Sequence, residues 1–477
     1  MTTDLLWILS LLVTALHGLG ILSAVDALLS ARSPQGAIAW AFALSTVPYV
    51  ALPAYWVFGR RRFHGYVVAR RLGYEKLDRI VDRVANELTP FRADLSVPLR
   101  RFQALENLVK LPFTRGNDVR LLIDGDAIHA ALIEAIAAAR ESVLVQFYIV
   151  RHDETGRELA AALKERAEAG VRVHFLYDEI GSYELSEEYL DDLRASGAEV
   201  HAFHSRRGRR NRFQINFRNH RKVVVVDGEV ALVGGANVGD EYRGRDPRFG
   251  RWRDTHLRLD GPAAICAQLS FLEDWYWSTR TIPELPWRPV PSPTEDRSTL
   301  ILATGPADLL ESCGLFFVHA IHAARRRLWI ATPYFVPDSS VLHALQLAAL
   351  RGVDVRVLVP ENPDHKLVHL ASCSYLGEVE PAGVKVLRYT PGFLHQKVVL
   401  VDDDVAAVGT ANLDNRSFRL NFELMAVVAD GAFAREVERM LEADLANASP
   451  FGVADLEAKP LWFRVAVRLA RLFAPIL

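Results

Sequence analysis

The sequence predicts an α/β protein built from two similar halves and preceded by a pair of apolar helices. Three observations carry this. Two stretches near the N-terminus are apolar over lengths of more than about 20 residues, enough to cross a bilayer as helices. An eighteen-residue pattern occurs twice at a constant offset of 175 residues. Around each copy, near-continuous apolar strands alternate with helical patterns, the signature of α/β units with a largely parallel sheet buried on both faces.

The first apolar stretch runs from Leu5 to Leu28 and the second from Ala37 to Phe58, joined by a short link with Pro34 and Gly36. The expectation is a transmembrane helical hairpin. No Lys or Arg precedes the first stretch and a second follows at once, which does not fit a cleaved signal peptide. Arg60, Arg61, Arg62, Arg70 and Arg71 follow the second stretch, whereas the link has only Arg32. The excess of arginine predicts that the large C-terminal part lies on the cytoplasmic side of the inner membrane, as part of a multi-pass protein. The same arginines suit anionic headgroups or serve as a topology signal alone.

In the remainder, His220-Arg-Lys222 with Asp227 returns as His395-Gln-Lys397 with Asp402, both fitting H-x-K-x4-D. Gly234-Gly-Ala-Asn237 and Gly409-Thr-Ala-Asn412 follow at the same offset. Motif strands are expected at Lys222–Val226 and Lys397–Val401, each followed by a second strand, Ala231–Gly234 and Ala406–Gly409, that would close a hairpin. Helices are expected at Ala127–Arg140, Glu154–Ala169, Glu187–Ala195 and Ser340–Leu350. Prolines 283, 286, 289, 291 and 293 mark a linker between the halves. The predicted organisation is 1–60 hairpin, 61–115 basic and helical juxtamembrane linker, 116–282 first half, 283–298 proline-rich linker, 299–455 second half and 456–477 C-terminal amphipathic helix.

The repeated residues point to phosphodiester chemistry. On a strand, i and i+2 share a face, so His220 sits with Lys222 and His395 with Lys397. If the halves pack about a pseudo-twofold axis, two imidazoles and two ammonium groups meet at one site. One histidine attacks phosphorus and forms a covalent phospho-histidine. The other protonates the leaving alkoxide and later deprotonates the incoming alcohol. The lysines, with amides from Asn237 and Asn412, stabilise charge on the phosphate oxygens. No metal or cofactor is called for, since the lysines would repel a cation. Asp227 and Asp402, five residues beyond each His, point to the opposite face and are expected to cap a turn or bond backbone.

These paired motifs resemble the phospholipase D superfamily, and bacterial cardiolipin synthases more closely. Asn216-Phe-Arg-Asn-His220-Arg-Lys222, Gly239 to Pro247, Trp252-Arg-Asp-Thr-His256, Pro391 to Lys397, and Gly409 to Ser417 followed by Asn421-Phe-Glu423 are similar to that family's signatures. The resemblance covers nearly the whole chain. It implies two phospholipase D-like α/β halves and a membrane-bound transphosphatidylation. A phosphatidyl group passes to a histidine and then to the hydroxyl of a second phosphatidylglycerol, giving cardiolipin and glycerol. By the resemblance His220 is the nucleophile and His395 the acid/base, although the internal symmetry leaves the reverse open. The resemblance also implies an acidic residue 25 to 35 positions after each motif His, bonded to an active-site imidazole; Asp254 and Glu423 fit. Thr410 departs from the pattern, standing where Gly or Ser is common, and still offers a hydroxyl.

Composition limits the alternatives. The chain has 477 residues, 50% hydrophobic, with net charge -2 and three cysteines. That speaks against a disulfide framework and against a chain that coats nucleic acid. A hydrolase using water, or a transferase with another donor or acceptor such as phosphatidylethanolamine, fits the same residues. A nucleic-acid phosphodiesterase and a non-enzymatic scaffold fit them less well. Expected partners are phospholipid substrates and the membrane, with no nucleic acid; self-association is left open. Arg206, Arg207, Arg209, Arg210 and Arg212 form either a collar for lipid headgroups or a solvated loop. From Leu461 to Leu477, Arg464, Arg468 and Arg471 share a helical face with apolar residues around them. That suits a helix at the membrane surface, or one packed on the domain or a partner subunit.

Overall fold

The computed structural model describes residues 2–30, 34–59, 66, 74–94, 97–203 and 216–477. Arg32, Arg60–Arg62, Arg70, Arg71 and the basic loop Arg206–Arg212 lie outside the described residues. The chain divides into two compact units, residues 1–72 with 204–217, and residues 73–203 with 218–477.

In the smaller unit, the helix Thr2–Ser30 is the one described helix long and apolar enough to cross a membrane. Its 29 residues span about 43 Å at the usual rise. The second apolar stretch is not one continuous helix. It runs as Pro34–Thr46, breaks at Val47, and resumes as Pro48–Ala54 with a π-helical turn at Tyr55–Gly59. Pro48 is the cause, since the residue before a proline is pushed out of the helical region; Val47 has φ -133° and ψ 58°. Ala24, Ala27, Leu44, Ala51, Leu52 and Tyr55 pack together between these segments. The Tyr55 hydroxyl donates to Asp26 Oδ2 at 2.7 Å, so the carboxylate near the C-terminal end of the long helix is partnered.

The larger unit is built on one continuous sheet. The first half contributes β1 (Thr114–Ile123), β2 (Ser142–Phe147), β3 (Arg172–Asp178), β4 (Glu199–Phe203), β5 (Val223–Val226), β6 (Val230–Gly234) and β7 (Thr255–Asp260). The second contributes β8 (Arg297–Thr304), β9 (Arg327–Ala331), β10 (Asp354–Pro360), β11 (Lys385–Tyr389), β12 (Val398–Val401), β13 (Val405–Gly409) and β14 (Asn421–Ala429). Their order is β11-β10-β9-β12-β13-β14-β8-β1-β7-β6-β5-β2-β3-β4. It reads as equivalent strands from either end, and β1 against β8 forms the seam.

The sheet is mixed, not largely parallel. Among the fourteen strands named, only β2-β3-β4 and β9-β10-β11 run parallel; the motif strands pair antiparallel with their neighbours. The reason is local. Asp227 and Asp402 adopt left-handed φ values of 53° and 52°, so each motif strand turns back at once as a hairpin (β5-β6 and β12-β13). Asp227 accepts from the amides of Arg140, Glu141 and Ser142 at 2.8–2.9 Å. Asp402 accepts from the amides of Arg325, Arg326 and Arg327 and from Arg101 Nη1. Both carboxylates thus tie their hairpin to the start of the neighbouring parallel strand.

The helices Asp124–Ala137, Glu154–Glu168, Glu187–Ala195 and Ser339–Leu350 start within three residues of their expected positions. Three begin at side-chain caps, Asp153, Ser186 and Asp338, each accepting from a backbone amide three residues on. Every residue of β5 and β12 is buried, as suits central β-branched runs. Each half has its own core, centred on strands such as Val143, Val145 and Val224 in the first and Leu328, Ile330 and Val399 in the second.

Candidate active site

His220 and His395 lie just before β5 and β12, outside the motif strands themselves, which begin at Val223 and Val398. Their amides are held from the opposite half. The His220 N–H donates to the Phe422 carbonyl at 2.9 Å and the His395 N–H to the Arg253 carbonyl at 2.8 Å. Each histidine is therefore seated at the start of a strand of the other half, β14 for His220 and β7 for His395.

The acidic partners cross the seam too. Glu423 Oε2 lies 2.9 Å from His220 Nδ1, and Asp254 Oδ2 lies 2.7 Å from His395 Nδ1. Each half supplies one histidine and the carboxylate for the other's. Both carboxylates are fully buried. An ionised carboxylate only accepts, so each Nδ1 carries the hydrogen and each Nε2 presents a lone pair. Glu423 is held by three further donors, Thr410 Oγ1 at 2.6 Å, Ser417 Oγ at 2.8 Å and Asn421 Nδ2 at 3.1 Å. Asp254 takes the Thr255 amide at 2.9 Å and Trp252 Nε1 at 3.3 Å. At the position matching Thr410, Gly235 leaves room for the aspartate; a Cβ there would stand 2.2 Å from Asp254 Oδ1.

Lys222 and Lys397 are buried, with Nζ donating to the carbonyl of its own motif histidine, at 2.7 Å for Lys222. Burial lowers the pKa of both, Lys397 to about 8. Burial also holds His220 down to about 4, with the two lysine charges opposing Glu423; His395 falls to about 4 for the same reasons. Against their burial, Asp254 is held well below the usual carboxylate range by His395 and Lys397, and Glu423 is lowered by His220 and Lys222. These mutual effects join both histidines, both lysines and both carboxylates in one electrostatic cluster. With no ligand bound, the imidazoles are neutral at pH 7 and Lys397 carries positive charge.

Asn237 is placed otherwise than expected from sequence. Its Oδ1 accepts from the Ile149 amide at 3.0 Å and its Nδ2 donates to the Tyr242 hydroxyl at 3.0 Å, which leaves one amide hydrogen for a ligand. Asn412 is buried, and its Oδ1 has no hydrogen-bond partner among the described residues. No cluster of His, Cys, Asp and Glu suited to a metal ion occurs among the described residues.

Several supporting residues carry no repeat signal strong enough to read. The Tyr148 ring lies 5.0 Å from the His220 ring and 5.2 Å from Lys222 Nζ. Trp252 and Phe393 pack 5.2 and 5.8 Å from the His395 ring. Arg221 Nη1 pairs with Asp274 at 2.8 Å, and Arg253 grips Asp444 through two hydrogen bonds at 2.7 and 3.0 Å. These buried pairs brace the residues flanking each histidine. Where Arg218 stands two residues before His220, Phe393 stands before His395; where Arg416 follows Asn412 by four, Glu241 follows Asn237. The two flanks are chemically different, the first cationic and the second aromatic and acidic.

A family model described as cardiolipin synthase, phospholipase D-like domain, matches residues 132–243 and 317–445. The chain belongs to the cardiolipin synthase family. Cardiolipin synthase A of Pseudomonas aeruginosa is 50% identical over 476 residues, covering 98% of this chain and 96% of that one. Cardiolipin synthase A of Pseudomonas fluorescens is 48% identical over 472 residues, covering 98% of both. Membership makes the chain an enzyme, a phosphatidyl transferase of the phospholipase D kind. A second model, for a phospholipase D-nuclease N-terminal segment, matches residues 18–60. Among solved structures, phosphatidylserine synthase of Haemophilus influenzae shares the fold, with TM-score 0.59 and 17% identity over 79% of this chain and all of that one.

Proposed function

We propose that the chain is a membrane-bound enzyme that makes cardiolipin from two phosphatidylglycerol molecules, releasing glycerol, through a phosphatidyl-histidine intermediate. The observation that carries this reading is the crossed pairing of two buried histidines with two buried carboxylates around two lysines. Such a site offers one nucleophile and one proton carrier to a single phosphate.

His220 Nε2 attacks phosphorus as the bond to the glycerol headgroup breaks. The bound phosphodiester offsets the lysine charges that hold the imidazoles down, so His395 takes a proton on Nε2, supported by Asp254, and gives it to the departing alkoxide. Lys222, Lys397 and the amides of Asn237 and Asn412 stabilise charge on the equatorial oxygens. In the second step the hydroxyl of another phosphatidylglycerol loses its proton to His395 and attacks phosphorus. The bond to His220 breaks, and its imidazole returns neutral. Asp227 and Asp402 serve the hairpins and take no part in the chemistry.

The membrane reading rests on the exposed apolar surface of Thr2–Ser30 and on the Asp26–Tyr55 bond that closes the second stretch onto it. On this reading 1–60 is a hairpin crossing the inner membrane twice, with 116–282 and 299–455 as cytoplasmic halves joined by 283–298. Purified protein given phosphatidylglycerol alone should yield cardiolipin and glycerol by mass spectrometry. Phosphatidic acid and glycerol would make it a hydrolase, and turnover only after another lipid or alcohol is added would change the substrates. His220→Ala and His395→Ala should each fall to background; substantial activity in either would end the two-histidine mechanism.

A further inference from the structure

The C-terminal helix Leu461–Arg471 and the turn after it are apolar on two opposite sides. Successive helical residues advance by about 100°, which sorts this segment into three strips. Val467, Ala470 and Ala474 form one strip and are buried against the second half. Leu461, Val465, Leu469 and Leu472, with Trp462 and Phe473 beside them, form a second strip facing away from the protein. Trp462 is 69% exposed and Leu472 73%. Arg464, Arg468 and Arg471 occupy the margin between the two. Arg471 is spent inward, pairing with Glu378 and lying 4.7 Å over the Tyr375 ring. Arg464 and Arg468 remain exposed beside the apolar strip.

A single surface leucine needs no explanation, but six large apolar side chains on one side of one helix do. The arginines decide the occupant. A basic margin along an apolar strip matches a bilayer carrying anionic lipid, where the strip enters the acyl region and the arginines reach back to the headgroups. We propose that this helix lies flat in the interface of an anionic membrane and turns the His220 side of the active site toward the lipid. The proposal rests on the reading of the chain as an enzyme acting on membrane phospholipid.

The link to the site is continuous. The Arg416 amide donates to the Leu477 carbonyl, and Arg416 Nη1 to the Ile476 carbonyl at 3.2 Å. Arg416 lies on the short helix Asn415–Arg419, which also carries Ser417, the donor to Glu423. From the other end of that helix Arg419 pairs with Glu311 at 2.9 Å, beside the exposed Leu309 and Leu310. The short helix that steadies the carboxylate of His220 is thus gripped on both sides by segments presenting apolar side chains to solvent.

The test uses the full chain reconstituted in phosphatidylglycerol-containing vesicles. The native cysteines 266, 313 and 373 are buried, so a cysteine at Leu469→Cys takes an environment-sensitive dye selectively. Brominated acyl chains should quench that dye at least about twofold more than one at Glu165→Cys, on an outer helix of the first half, because quenching needs contact with the acyl region. Equal quenching at both positions would overturn the proposal. So would a dye at 469 that is shielded from water yet unquenched by bromine, the result expected if a second copy covers the strip. The paired change Leu469→Glu with Leu472→Glu should lower turnover on vesicles by about tenfold, the strip no longer favouring the acyl region, and leave turnover in detergent-mixed micelles unchanged. An equal loss in both, or in neither, would count against the coupling. The quenching measurement is independent of turnover and stands or falls apart from the assigned reaction.

Discussion

Replacing Glu423 by Gln isolates what the crossed carboxylate does. The two side chains have nearly the same shape, and the other three donors around Glu423 leave little freedom to move. What is lost is the charge 2.9 Å from His220 Nδ1, in a fully buried position. A charge pair at about 4 Å between centres, with an effective dielectric near 20, is worth about 4 kcal/mol. In the proposed mechanism that interaction appears only as His220 becomes cationic, when its Nε2 bonds to phosphorus, so it acts on the barrier. It corresponds to roughly three orders of magnitude in rate. Rapid-quench experiments on labelled phosphatidylglycerol should show phosphatidyl-His220 forming about a thousandfold more slowly in Glu423→Gln, with KM little changed. A loss smaller than about tenfold would refute the argument that Glu423 supports a cationic His220. So would a loss confined to KM.

Activity should follow pH between limits set by the buried groups. His220 and His395 are each held near 4, so kcat/KM, which needs His220 neutral and His395 protonated, should rise as pH falls from 7 toward about 5, with no break at the ordinary histidine value of about 6.5. Lys397, at about 8, should set the alkaline limb as it loses its charge. A kcat/KM profile with an acid midpoint near 6.5 would contradict the burial argument. For stability the sign is set by the unfolded chain, which binds protons to these histidines at higher pH than the fold does. Stability should therefore fall as pH drops from about 6.5 toward 4, measured as urea midpoints. Gly235→Ala places a methyl 2.2 Å from Asp254 Oδ1; it should displace the aspartate and cost at least about tenfold in kcat, and wild-type rates would show that the backbone gives way. Asp402→Ala leaves three backbone amides without their acceptor and should cost about 2–4 kcal/mol in urea unfolding, with the folded fraction still active; a neutral effect would mean water replaces the carboxylate. EDTA should leave turnover unchanged in the assay, and reversible inhibition would bring a metal into the chemistry.

Much of the site was legible because duplication writes the same residues twice. His220, Lys222, His395 and Lys397 stand out at one offset, and the mixed strand–helix pattern around them gives the fold class. The carboxylates were legible only by resemblance, and then each by its distance from the histidine of its own half. Sequence spacing cannot show that Glu423 belongs to His220 and Asp254 to His395, since that follows from how β7 and β14 meet the opposite motif. The mixed direction of the sheet was hidden for a different reason. A run such as Val223–Val226 reads as buried in either direction, and beyond the expected hairpin nothing in it shows antiparallel pairing with β2. The seam strand β1 was missed because Arg115, Asn117, Asp118 and Arg120 interrupt its apolar residues. The braces Asp274 and Asp444 sit inside helices, where a lone carboxylate gives no sign that a buried arginine will reach it.

The exchange of carboxylates across the seam binds the fates of the two copies. A half standing alone would hold a histidine without its acid and an acid without its histidine; only by rejoining along β1 and β8 would either pair be restored. Each copy is therefore free to change in its outer strands and helices, and in the residues that flank the phosphate, as Arg218 against Phe393 shows. What neither can alter by itself is the angle at which it meets the other. A lesion in one half would be felt first at the histidine of its twin.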